Sequence, residues 1–289
     1  MTLEIGTILP TSTPDPAHPI LGDVRAAARL AEQIGLDSVW STDHLVASAP
    51  MLDSGVVLAT AAAVTDRIRI GFGVLLLALR PVAWAAKQIA TLQYVSGDRL
   101  IVGVGTGNPA HGDVGWRAAG VSFAERGRRT DEALRVLPDL VTGRPTVLPD
   151  GSEVTLAPGA SMPPVLVAGD GERARRRAAA YADGWVAIGL EPGQVRTSVT
   201  ELTALAAEYG RGPLSVTIVA PPLATDPGHA AEQLAAYAEA GAERVILAPS
   251  GAQWQADYEF AAKIKAQLEI SALTRCTARS VRDRAVPPR

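Results

Sequence analysis

Short β-branched runs alternate with helix-period segments eight times along this chain, and few folds accept that alternation. Strands are expected over residues 3–9, 37–41, 67–74, 99–104, 164–168, 185–188, 214–220 and 244–248. Helices are expected over residues 24–34, 52–64, 82–95, 123–141, 172–182, 192–209, 229–240 and 254–268. The punctuation agrees: Asp23 suits a helix cap, Gly35 a helix stop and Pro81 a first helical turn. The rhythm pauses only after the fourth strand. Residues 105–120 are glycine-rich and aperiodic, and Pro149-Asp150-Gly151 marks a hairpin before the fifth strand.

At 289 residues and 47% hydrophobic, the chain has the size and apolar content of one closed α/β barrel. The expected fold is α/β, a single (β/α)8 TIM barrel over residues 1–270, with loop insertions after strand 4 and before strand 5. Residues 271–289 are arginine-rich, lack an apolar period and are expected to form a disordered basic tail. An open doubly wound sheet would show the same alternation, and Gly103-Val104-Gly105-Thr106-Gly107 looks superficially like a dinucleotide fingerprint. That run lacks the third glycine, however, and residues 108–112 do not open a helix.

Composition removes several classes of function. A net charge of −3 without a basic block ahead of the tail argues against a nucleic-acid surface and for a small-molecule substrate. The single cysteine, Cys276, permits neither an intrachain disulfide nor a cysteine metal cluster, as expected in a reducing cytoplasm. The first nine residues lack the cationic start and apolar core of a signal peptide, and the run from Val74 to Leu79 is too short to span a bilayer. Metal-ligand spacings and nucleophile-elbow glycines are both missing, so neither a metal centre nor a hydrolase is expected.

What remains is a strand that runs into an ionisable pair, Val39-Trp40-Ser41-Thr42-Asp43-His44. Barrel enzymes place their chemistry at the carboxyl ends of strands, and imidazole exchanges protons near neutral pH. The plainer reading makes His44 a satisfied polar side chain and Asp43 a cap for the next turn. Ala168-Gly169-Asp170-Gly171 precedes a helix whose amino end could hold a phosphate, with Gly189 and Leu190 completing the pocket. Asp170 and Glu172 oppose an anion there, although Asp170 also suits an N-cap. Arg173, Arg175, Arg176 and Arg177 follow at consecutive helical positions, so most are expected to be solvated. Trp40 and Trp185 are expected to pack, whereas Trp116 and Trp254 are better placed for substrate.

The run Ala31-Glu32-Gln33-Ile34-Gly35-Leu36-Asp37 leading into that strand resembles the luciferase-like flavin and deazaflavin oxidoreductases. Four further segments resemble them in the same order: 67–76, 86–107, 123–129, and 165–169 with Ala182-Asp183-Gly184-Trp185. The resemblance implies a (β/α)8 barrel, usually a homodimer, holding FMN or coenzyme F420 at the carboxyl end of the strands. By that likeness Asp43 and His44 form the catalytic pair, with His44 moving a proton as hydride travels. Gly73 and Val74 fall where the family has a cis peptide behind the ring, and Thr106, Gly107 and Asn108 fall at the ring edge. The implied function is F420-dependent hydride transfer to or from a small organic substrate. The alternatives are an FMN-dependent monooxygenase fed by a partner flavin reductase, and a flavin-binding barrel without turnover. The family's sugar-phosphate dehydrogenases favour an aromatic residue and a glutamate where this chain has Ser48 and Asn108, so a sugar phosphate is not the expected substrate.

Overall fold

A computed structural model describes residues 3–12, 22–47, 49–249 and 253–284, with side chains described as far as residue 271. Its first half contains β1 (Glu4–Ile8), α1 (Val24–Gln33), β2 (Ser38–Ser41), α2 (Ser54–Ala63), β3 (Arg69–Leu75), α3 (Val82–Val95) and β4 (Leu100–Val104). The excursion after β4 consists of α4 (Val114–Ala118), α5 (Arg126–Thr142) and the antiparallel hairpin β5 (Thr146–Val147) with β6 (Glu153–Val154). The second half contains β7 (Val165–Ala168), α6 (Glu172–Tyr181), β8 (Gly184–Ile188), α7 (Pro192–Glu208), β9 (Ser215–Val219), α8 (Pro227–Glu239), β10 (Arg244–Leu247) and α9 (Trp254–Arg284).

Eight of the strands close in the order β1-β10-β9-β8-β7-β4-β3-β2, and every pairing is parallel. The doubly wound alternative is thereby excluded. Parallel pairing puts all the strand carboxyl ends, and the loops that follow them, on one face. Asp23 caps α1 as its sequence indicates, accepting the amides of Arg25 and Ala26, and the structure adds Asp53, which accepts that of Val56 at the start of α2.

Two apolar layers hold the barrel. The larger lies between strands and helices; the smaller fills the interior with Trp40, Ile101, Leu166, Val186 and Ile246. Trp40 is fully buried, and a side chain at Gly71 would stand 2.3 Å from its ring, so glycine there makes the room. Emptying that volume by Trp40→Ala costs about 3–5 kcal/mol on general precedent. Below the tryptophan, the buried Arg244 pairs with Glu4 and donates to Thr217, closing the amino-terminal floor. The open end is therefore the carboxyl face.

Two expectations need correction. A five-residue helix, α4, forms inside the glycine-rich stretch, buried on one side through Trp116. The last helix does not stop at Leu268 but continues as helical backbone through Arg284, because no glycine or proline intervenes before Pro287. Residues 285–289 of the expected tail lie outside the described residues.

Candidate active site

The end of β2 is built by Asp43. Its side chain is 4% exposed and accepts from Ser54 Oγ at 3.0 Å, the Leu76 amide at 2.9 Å, and both terminal nitrogens of Arg80 at 2.8 and 3.0 Å. Asp43 thus ties the β2 end to α2 and to the segment after β3. A carboxylate with both oxygens engaged this way holds structure in place, and of the expected pair only His44 faces the cleft.

His44 is half-buried and stands in edge-to-face contact with His111, their ring centroids 4.8 Å apart at an interplanar angle of 65°. Burial lowers the His44 pKa, His111 lowers it further, and Asp43 opposes both. The ring opens onto a cleft lined by Leu45, Val46, Leu79, Gly107, Asn108, His111 and Trp116. Trp116 is 5% exposed and packs edge-to-face on Phe123, so it contributes a wall to the cleft.

The neighbouring strand ends shape the floor. Pairing between β3 and β4 shifts register between Phe72 and Leu75, and Gly73 and Val74 stand half-buried in that interval, joined by a cis peptide. Gly105 gives Val74 its space, since a Cβ there would lie 2.5 Å from Val74 Cγ2. Asn108 uses its side-chain oxygen to accept the Ala110 amide at 3.0 Å, which fixes the loop as it leaves the barrel. Thr106 faces the other way.

Thr106 lines a second concavity, a groove running outward between α5 and α6 past Ala168, Gly169 and Gly171. Gly169 has φ +126°, and a Cβ there would stand 2.9 Å from Ala174 Cβ. Its carbonyl accepts Trp185 Nε1 at 2.8 Å, giving that packed indole a role in holding the loop. The N-cap of α6 is Gly171, not Asp170, and the first amides of the helix have no partner within it. Asp170 turns instead towards the Ile188 amide; burial raises its pKa, against that hydrogen bond and Arg175, and its Oδ1 is buried without a partner.

The α6 arginines divide in the same place: Arg173 and Arg176 are exposed, as expected, whereas Arg175 and Arg177 are half-buried and paired with Glu201 and Asp131. Arg173, Arg176 and Arg177 line the groove, facing Arg126, Arg128 and Arg135 of α5, with Asp131 and Glu132 as the only acidic residues in the lining. Arg176 is engaged by Glu172, Arg177 by Asp131, and Arg128 by Glu125 and Glu132. Among the described residues, Arg135 and Arg173 have no ion-pair partner, and Arg126 Nε is buried without an acceptor. An orphaned buried donor beside two uncommitted cations and a helix amino end fits a phosphate.

His44, Gly107 and Asn108 therefore share one compartment, while Thr106, Ala168, Gly169 and Gly171 share the other. Gly73 and Val74 stand at the barrel mouth. Gly189 is exposed after β8 and lines neither compartment, and Leu190 is engaged elsewhere, its carbonyl accepting Tyr237 Oη. Trp254 packs on Tyr258 in the core, so its expected substrate role is not supported by its placement. Ser48 lies outside the described residues, as do residues 13–21 of the loop after β1. Sequence reasoning missed His111 and Arg80; the available signal was their position just beyond β4 and β3. Among the described residues, no cluster of three His, Cys, Asp or Glu could hold a metal, and no helix is long and apolar enough to cross a membrane.

The luciferase-like monooxygenase family matches residues 3–270, and the chain belongs to that family. An uncharacterised protein of Mycobacterium tuberculosis is 35% identical over 176 residues, covering 59% of this chain and 60% of that one. The F420-dependent hydroxymycolic acid dehydrogenase of the same organism is 30% identical over 202 residues, covering 62% and 55%. The matched stretch thus spans less than two thirds of these relatives' lengths. An F420-dependent secondary alcohol dehydrogenase, solved with an F420-acetone adduct, superposes with a TM-score of 0.75 at 18% identity over 91% of this chain and 97% of its own. At that identity the likeness shows the shared fold.

Proposed function

We propose that this chain is a coenzyme F420-dependent oxidoreductase that passes a hydride between the deazaflavin and a small organic substrate. The observation that carries the reading is the loop after β4. Thr106 faces an arginine groove suited to a phosphate, while Gly107 and Asn108 face a cleft that ends on a half-buried imidazole. In this reading the tricyclic ring lies over the barrel mouth with Gly73 and Val74 behind it, the small His44 cleft opens at its edge, and the Gly169-Asp170-Gly171 turn meets the phosphate. When bound, the deazaflavin supplies a carbon that accepts or gives two electrons as hydride. His44 gives or takes the accompanying proton at a ring nitrogen, and Asp43 with Arg80 fixes the backbone that presents it. The F420 dependence in the name of the mycobacterial relative supports the choice of cofactor.

FMN also carries a phosphate, so the groove alone does not separate the two cofactors. A monooxygenase supplied by a partner flavin reductase is the second reading. A fluorescence titration of the purified chain with each cofactor tests the choice. Tight F420 binding is expected, tighter FMN binding would favour the monooxygenase, and binding of neither sinks both. We further propose a cytoplasmic homodimer. Val56 on α2 and Trp84 on α3 are 67% and 68% exposed on adjacent helices, an apolar surface that a second copy would cover.

A further inference from the structure

The cleft at the end of β2 holds two imidazoles, and the proposed reaction uses only one. His111 closes the short turn Pro109–His111, which Asn108 caps, and the turn delivers its ring to within 4.8 Å of the His44 ring. The two differ in solvation: His44 is half-buried and His111 is exposed. The charged groups near them are few. Asp43 is occupied by Arg80, and on the α4 side Asp113 pairs with Arg117, leaving Gly115 and Trp116 to face the cleft.

We infer that His111 is a positioning residue that holds His44 in its neutral form, its ring standing in edge contact where a charge on the half-buried imidazole would be disfavoured. Two imidazolium rings in contact repel one another, and charge on the exposed ring keeps its hydration whereas charge on the half-buried ring does not. The lowered pKa of His44, set by burial first and His111 second, points the same way. The consequence is directional. A neutral His44 is in the form that accepts a proton, the form required when the substrate surrenders a proton to His44 and a hydride to the oxidised cofactor. This inference rests on the proton role proposed for His44.

The test needs neither substrate nor cofactor. The full chain, labelled with 13C in its histidine rings, is titrated by NMR, with its four histidines assigned by single replacement. In the wild type, His44 should titrate below the ordinary imidazole range. In His111→Phe, which keeps a ring in the contact, the His44 midpoint should move up towards the ordinary imidazole value. His111→Gln should give the same direction, which guards against a local rearrangement in the first variant. A His44 midpoint unchanged in both variants overturns the inference. Failure of the cofactor reading would appear differently, as absence of F420 and FMN binding with the His44 response to His111 replacement intact.

Discussion

The two concavities at the barrel mouth are separated by one loop and differ in almost everything else. The cleft of His44 is narrow, lined by apolar side chains and two imidazoles, and its one nearby ion pair, Asp43 with Arg80, is engaged in holding the fold. The groove between α5 and α6 is broad and cationic, and among the described residues three of its arginines have no carboxylate partner. Low charge and partial burial tune a proton-transfer group, whereas free cations at a helix amino end anchor an anion without reading its chemistry. On the proposed reading the two concavities divide affinity from chemistry between different residues, so each should be removable without the other.

The strongest break would come at His44. His44→Ala should lower turnover of the loaded enzyme by roughly a hundred- to ten-thousand-fold while leaving the cofactor dissociation constant within a factor of two to three of wild type. Equal loss of binding and turnover would erase the division between compartments. Asp43→Ala should be damaging for a different reason. It strands Arg80, and stability in a denaturant titration should fall by about 3–5 kcal/mol. A variant of wild-type stability would mean that this pair does not secure the β2 end.

On the groove side, Arg173→Glu should weaken cofactor binding by about tenfold, less as salt is raised, and should leave the His44 titration unmoved. The smallest effect is thermodynamic. The His44 pKa is lowered in the fold, so as pH falls through the ordinary imidazole range the unfolded chain takes up a proton that the folded chain refuses. Its contribution is full above that range, declines as pH drops through it and levels off below the lowered value. Melting temperatures of wild type and His44→Phe between pH 7.5 and 5 should converge or cross in that direction as pH falls.

Much of this division was legible in the chain, but unevenly. The eight barrel strands follow local patterns, so β-branched runs and capping residues located them closely, and Asp43-His44 stood out because a strand ended on it. The partners of those residues were not legible. Arg80 meets Asp43 only because β3 lies beside β2, and His111 meets His44 only because a turn after β4 folds back across the barrel mouth. The α6 arginines looked dispersed when placed on one isolated helix; facing α5, they form a wall. Local periodicity carries no information about which face of one element will oppose another across a closed barrel. Helix α4 was hidden for a related reason, since one buried tryptophan among glycines provides too little pattern to read.

The division is tested most directly by a crystal structure of the full chain with coenzyme F420. The structure described here predicts the ring against Gly73 and Val74 with His44 at its edge, and the phosphate between the Gly169-Asp170-Gly171 turn and Arg173. A phosphate bound on the β9–β10 side of the mouth, or a ring out of reach of His44, would contradict it.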